Sequence, residues 1–220
     1  RAMLNFAIER GLRQDNPAAG VKVFKVRKIE RFLTSDELAR LGDALSAAER
    51  NGANRTILAA IRLLLLTGCR RSEILSLRWD YVDAERSCLR LPDSKSGAKV
   101  VPVGGSALAV LAGLPRVEGN PHVIVGEIDG SHLVNIDRMW RSIRQAARLP
   151  DLRLHDLRHS FASVGACGGD SLLVIGKLLG HSQASTTQRY AHLSNDPLKA
   201  AADRISAAIS AAMAEKRQPE

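Results

Sequence analysis

The stretch LHDLRHSFASVGACGGDSLLVIGKLLGHSQASTTQRYAH, residues 154–192, decides how the chain is read. Gly168-Gly169 and Gly180 break it into three pieces with a helical pattern, predicting helices over about 156–167, 171–179 and 184–192. Working outward, further helices are predicted over 131–148 and 197–215. Thr34-Ser35-Asp36-Glu37 is a capping-box signal for a helix to about Arg50, and a second apolar helix spans roughly 54–67 before Gly68. A short helix is expected over 72–78. Residues 1–13 place Met3, Leu4, Ala7, Ile8 and Leu12 at helical spacing until Asn16-Pro17 breaks the pattern.

Between the helical halves the period changes. Ser87–Leu91 and Lys99–Val103 flank a turn at Asp93–Gly97 and read as an antiparallel hairpin, with His122–Val125 as a third strand. The expected fold class is therefore mainly α with a small three-stranded antiparallel β-sheet (α+β). Residues 25–33 read as a basic linker carrying Lys25, Arg27 and Lys28, candidate DNA-binding residues. They separate a helical remnant at 1–24 from a main domain over 34–196, and a C-terminal helix and tail occupy 197–220.

The chain of 220 residues is 45% hydrophobic, enough for a sizeable core. Its 32 Lys and Arg against 23 acidic residues give a net charge of +9. Such an excess favours a polyanionic partner, because cations set against phosphates release counterions. Aromatic content of 4% disfavours bases stacked along a single-strand groove, so duplex DNA suits the composition better. The longest apolar run, Ile61–Leu66, is interrupted by Arg62 and cannot span a bilayer. No secretory signal is visible. Cys69, Cys88 and Cys167 are widely spaced, with no CxxC pair, which argues for a reducing, cytoplasmic setting and against structural zinc. Starting at Arg1 inside a helical pattern, the chain reads as a fragment of a longer protein.

Four local signals carry chemistry. Thr67-Gly68-Cys69-Arg70, with Glu73 three residues on, presents an arginine at the end of an apolar helix, where Glu73 can pair with an arginine and orient it. Ser94-Lys95-Ser96-Gly97 puts a lysine at the hairpin tip. Leu154-His155-Asp156-Leu157-Arg158-His159 places His155 and Arg158 at i, i+3 on one helical face. Leu178-Leu179-Gly180-His181 is followed, nine residues after the histidine, by Tyr190 in a polar stretch with no apolar stripe to join. Each has a plainer reading: a solvated arginine, a solvated lysine, a packing tyrosine. His155 and His159 at i, i+4 also approach the HExxH zinc motif, but with Asp156 in place of Glu and Arg158 beside any metal.

Taken together and in order, TGCRRSE, the hairpin lysine, LHDLRH and LGHSQASTTQRYAH resemble the signature of the phage-integrase (tyrosine recombinase) family. The resemblance covers about residues 34–192, and residues 1–24 look like the tail of that family's upstream DNA-binding domain. It implies catalytic roles for Arg70, Lys95, His155, Arg158, His181 and Tyr190. Glu73 and His159 are supporting residues. The hairpin departs from the family pattern, since Lys95 stands seven rather than eight residues before Pro102. Lys99, a candidate DNA-binding residue, is the alternative to Lys95.

The resemblance further implies a reaction. Tyr190 attacks a phosphodiester of duplex DNA, His155 takes its proton, and Lys95 protonates the departing 5′-hydroxyl. Arg70 and Arg158 meet the charge growing on the non-bridging oxygens, for which planar, permanently charged guanidinium forks are well suited. The 3′-phosphotyrosyl product conserves the bond energy, so neither a metal nor another cofactor is expected. A helix after the tyrosine often docks on a neighbouring protomer in this family, which implies a homo-oligomer, a tetramer on DNA, with a monomer in isolation as the other expectation. Packing of 197–214 on its own domain is equally compatible with its pattern. A type IB topoisomerase-like strand transferase and a catalytically inactive DNA-binding regulator are the alternatives.

Overall fold

The computed structural model describes residues 1–22, 24, 31–92, 97–181, 183, 186–193 and 197–215, without the side chains of 192–193, 197–201, 204, 212, 214 and 215. Lys25, Arg27, Lys28 and Lys95 lie outside the described residues. Helix α1 (Ala2–Glu9) buries none of its residues. Helix α2 (Ser35–Arg50) begins at the expected capping box, with the Thr34 hydroxyl accepting from Glu37 N and the Glu37 carboxylate accepting from Thr34 N. Arg31 clamps the same carboxylate at 2.6 Å and 2.8 Å. These bonds push the Glu37 pKa down to about 2, against the opposing pull of burial.

Helix α3 (Arg55–Thr67) is apolar nearly all round and buries seven of its residues, as a helix at the centre of a core must. It packs on α5 (Gly105–Ala112) and α7 (Leu154–Cys167), while α2 packs on α6 (Asp137–Ala146). The main core draws on Leu41, Leu58, Ile61, Leu63, Leu77 and Leu157, all essentially inaccessible to solvent. Among the described residues no helix is long and apolar enough to cross a membrane.

A three-stranded antiparallel sheet has the order β1 (Val82–Asp83), β2 (Cys88–Leu91), β3 (Lys99–Pro102). The expected hairpin is β2–β3, with Leu89 opposite Val101 and Leu91 opposite Lys99. The third strand differs from expectation. It is Val82–Asp83, paired with Leu89 and Cys88, whereas His122 and Val125 form isolated bridges with Arg78 and His132. The turn after Asp83 brings Val82-Asp83 against β2, whereas Val123 and Ile124 are buried in the core.

Other boundaries moved as well. Helix α6 starts at Asp137, not 131, and α4 is only Arg71–Leu75. Helix α5 was not expected at all: it begins on Gly104-Gly105, has no side-chain cap, and shows a core face of just Ala107 and Leu111. Helix α8 (Leu172–Leu179) matches expectation, but the segment around Tyr190 is a 3₁₀ turn, Gln188–Leu193, rather than an α-helix over 184–192. Helix α9 (Pro197–Glu215) follows.

Candidate active site

Two helix ends build the floor of the site. Gly68 ends α3 with φ 62°, and a Cβ there would stand 2.6 Å from the Phe161 ring, so only glycine lets α3 stop against α7. Gly180 ends α8 the same way with φ 67°. Helix ends leave backbone carbonyls without intrahelical partners. Arg158, 5% exposed, satisfies two of them: one nitrogen donates to Gly68 O at 2.5 Å and the other to Leu179 O at 2.7 Å. Its guanidinium is thereby fixed between two glycine-capped ends. Burial lowers the Arg158 pKa and Arg70 lowers it further, so the two guanidinium groups feel each other's charge across 88 positions of chain.

Arg70 caps α4. Its backbone N–H and a guanidinium N–H both donate to the Glu73 carboxylate at 2.8 Å. Lys99 Nζ lies 2.9 Å from the same carboxylate. Glu73 is buried, which by itself would raise its pKa, but the Arg70 N–H, Lys99 and the Arg70 side chain together pull it below its ordinary value. One carboxylate thus holds two cations in place. The Lys99 side chain is only 11% exposed and lies across Gly180, where an added Cβ would stand 3.0 Å from its Cδ. It points into the site beside Arg70 and not outward from the hairpin.

The histidines separate into distinct places. His155, in the first turn of α7, is exposed, and desolvation followed by the charge of Arg158 lowers its pKa. His159, one turn on, is half-buried and stacks edge-on against His155 at 4.8 Å between centroids. Its Nδ1 is 2.6 Å from the Tyr190 hydroxyl oxygen. Burial, then His155 and Arg189, push the His159 pKa down to about 4, leaving a neutral ring at pH 7. His181, just past Gly180, is pushed down to about 4 by burial, Arg158 and Arg70, and its Nδ1 lies 2.9 Å from Thr187 Oγ1.

Tyr190 is 3% exposed. The absence of an apolar stripe in its own segment misled the sequence reading, because the partners come from other elements: Ala162, Ala166, Ile175 and Leu179 form a second small core around the ring. His159, whose ring meets the phenol, directly follows the buried Arg158 in α7. Asp156, the residue that weakly suggested a zinc motif, is fully buried and caps α7, accepting from the Arg153 N–H at 2.8 Å and from its guanidinium.

The described site therefore gathers Arg70, Glu73, Lys99, His155, Arg158, His159, His181 and Tyr190 from five segments. The sequence model described as the phage integrase family matches residues 31–196. The chain belongs to the phage integrase family.

Relatives and solved structures agree with that membership. Tyrosine recombinase XerC of Xanthomonas axonopodis pv. citri is 32% identical over 88% of this chain and 64% of its own length. The chain thus spans just under two thirds of that relative. The solved XerA recombinase is 25% identical, with TM-score 0.61, over 92% of this chain and 72% of that one. The catalytic domain of bacteriophage HP1 integrase is 27% identical, with TM-score 0.59, over 78% of this chain and 93% of that one. In this phage integrase family member the close neighbour of the tyrosine hydroxyl is His159, which its sequence position had marked only as supporting.

Proposed function

We propose that this chain is the catalytic part of a site-specific tyrosine recombinase, which cleaves and rejoins duplex DNA through a 3′-phosphotyrosyl link at Tyr190. The observation that carries the reading is the placement of Arg158 against the carbonyls of Gly68 and Leu179, which stand two residues before Arg70 and His181, next to His159, whose ring meets the Tyr190 hydroxyl. Two buried or half-buried guanidinium groups with few competing carboxylates form a receptor for a phosphodiester whose charge grows during attack. The relatives named tyrosine recombinase and integrase support the same reading.

Attack breaks the bond from phosphorus to the 5′-oxygen and forms one to the Tyr190 oxygen. The phenol, with an ordinary pKa near 10, must lose its proton as it attacks. A neutral His159 with its proton on Nε2 presents the Nδ1 lone pair to that hydroxyl at 2.6 Å, and His155 stands next in line. Arg70 and Arg158 hold the non-bridging oxygens, and His181 donates to them. The leaving 5′-oxygen takes a proton from a lysine: Lys95 by the family pattern, or Lys99, which Glu73 holds beside Arg70. The reverse of these steps rejoins the strand. Because Tyr190 is buried, the 3₁₀ turn that carries it must swing outward before its oxygen reaches DNA. A 3₁₀ turn, held by few and poorly aligned backbone bonds, is suited to that movement.

Residues 1–24 are the tail of an upstream DNA-binding domain, and Lys25, Arg27 and Lys28 are DNA-binding residues. Helix α9 exposes Ile205, Ile209 and Met213, spaced four residues apart on one face. That stripe docks on a second copy of this chain, in the groove of about 390 Å³ lined by Leu38, Leu65, Phe161, Val164 and Leu178. The enzyme works in the bacterial cytoplasm as a tetramer on DNA.

The test is a nicked suicide duplex that carries the recombination site, with the cleaved strand labelled at its 5′ end. Label transfers to the chain in a denaturing gel, and Tyr190→Phe abolishes transfer while binding persists. Transfer that survives in Tyr190→Phe overturns the assignment. Removing residues 197–220 is expected to shift the DNA-bound complex to smaller size on gel filtration; no shift overturns the docking.

A further inference from the structure

A second cluster of arginines lies next to the site without belonging to it. A pocket of about 320 Å³ is lined by Arg71, Asp137, Trp140, Arg141, Arg144 and Arg153. It opens where the first residues of α4 and α7 meet the outer face of α6. The N-terminal end of α7 and four guanidinium groups therefore surround one small volume.

The acids nearby offset half of this charge. Asp137 takes Arg71 at 2.9 Å, and the buried Asp156 takes Arg153 at 2.6 Å. Among the described residues Arg141 and Arg144 have no carboxylate partner, and Arg144 donates only to the Leu152 carbonyl at 3.0 Å.

Two residues that line the pocket carry unmatched buried donors. Trp140 is 4% exposed and its indole Nε1 has no acceptor among the described residues; the Nε of Arg144 is likewise buried without one. A buried N–H left unbonded costs about 1–3 kcal/mol, so an acceptor that reaches either donor is favoured. Arginine and indole N–H groups only donate, so a ligand of this pocket must be rich in acceptors, and the two arginines without a carboxylate favour a negatively charged one.

We propose that this pocket is an anion site that receives a second, uncleaved phosphate of the bound duplex, next to the phosphate held by Arg70 and Arg158. Chain continuity sets the two sites side by side: Arg71 follows Arg70, and Arg153 stands two residues before His155. A phosphate in the pocket fixes the register of the strand, so that the reacting phosphate meets the arginine pair. The inference rests on the DNA-cleaving reading for its ligand, though the anion site itself does not. A free phosphate or pyrophosphate shares the same chemistry, and the experiment separates the two sources.

The full chain is titrated onto a fluorescein-labelled duplex of arbitrary sequence over a range of KCl concentrations. Each phosphate contact contributes roughly 0.9 to the slope of log affinity against log salt. Arg141→Ala and Arg144→Ala are each expected to flatten the slope by about that amount, and Trp140→Phe, which keeps the packing and deletes the N–H, to weaken binding several-fold. Arg50→Ala, at the far end of α2, serves as the control with an unchanged slope. In parallel, inorganic phosphate is titrated while tryptophan emission is followed, with Trp140→Phe identifying the reporter.

A flattened slope with no emission change at millimolar phosphate supports the duplex source. An unchanged slope with a phosphate-dependent emission change that Arg144→Ala removes overturns the duplex source and leaves a free-anion site. Unchanged behaviour in both arms overturns the site. If the unaltered chain does not bind the duplex at all, the DNA reading fails, and the emission arm alone then decides the pocket. Circular dichroism of each variant distinguishes loss of contact from loss of fold.

Discussion

His159 Nδ1 and Tyr190 Oη lie 2.6 Å apart, so the tyrosine hydroxyl meets the second histidine of His155-Asp156-Leu157-Arg158-His159 and not the first. The two rings lie one turn apart on the same face of α7, but His155 is exposed whereas His159 meets Tyr190 at the small core around its ring. Position on the helix, one turn deeper, decides which imidazole meets the phenol.

Replacement of His159 is therefore expected to slow covalent adduct formation by about 10²–10⁴-fold, the usual contribution of a positioned proton acceptor. His159→Asn, which preserves a hydrogen-bonding side chain, should leave Tyr190 buried and the thermal midpoint nearly unchanged. Single-turnover cleavage of a nicked duplex checks this. If His155→Asn is the slower of the two and His159→Asn cleaves normally, the proton passes to His155.

Glu73 holds Arg70 at 2.8 Å and Lys99 at 2.9 Å. Glu73→Gln leaves two cations facing each other without a counter-charge in a largely buried place. Removing one partner of a buried pair costs about 3–5 kcal/mol, and because Arg70 is partly open to water the loss here is expected near the lower end. Urea unfolding measures it. Lys99→Met in the Glu73→Gln background should recover part of the loss, since it removes one of the stranded charges.

Gly180 combines a left-handed backbone with Lys99 lying across it. Gly180→Ala is expected to cost more than the roughly 1–2 kcal/mol that a left-handed non-glycine residue carries, because its Cβ also meets Lys99 Cδ at 3.0 Å. Gly11→Ala is the comparison: its φ of 69° is similar, but nothing lies within 4 Å of the added Cβ. Thermal unfolding of both variants isolates the contact from the backbone effect. Equal losses would mean that Lys99 moves aside freely.

The two imidazoles with pKa pushed down to about 4, His159 and His181, make the fold sensitive to mild acid. Unfolded, they bind protons below their ordinary value of about 6.5, while the native state refuses them until pH 4. Stability is therefore complete above pH 6.5 and falls as pH drops from 6.5 toward 4, each histidine contributing at most about 1.4 kcal/mol per pH unit. Glu37, with its pKa pushed down to about 2, adds a further loss that begins only below its ordinary value near 4.5. Thermal midpoints across this range should decline in two stages, and His181→Gln should flatten only the first.

Local sequence determined whatever depends on near neighbours. The capping box at Thr34, the helix stops at Gly68 and Gly180 and the β2–β3 hairpin each follow from a few adjacent residues, and each is found where the pattern put it. The order of the site residues along the chain was enough to name the family. Tertiary structure alone decided matters in which distant groups compete for one place. Tyr190 is buried because Ala162, Ile175 and Leu179 surround it, although its own segment offers no apolar stripe. Lys99 faces inward because Glu73, 26 positions away, captures its ammonium. His159 rather than His155 meets the phenol because α7 enters the core at that turn, and burial, unlike helix periodicity, is a property of the packed chain as a whole.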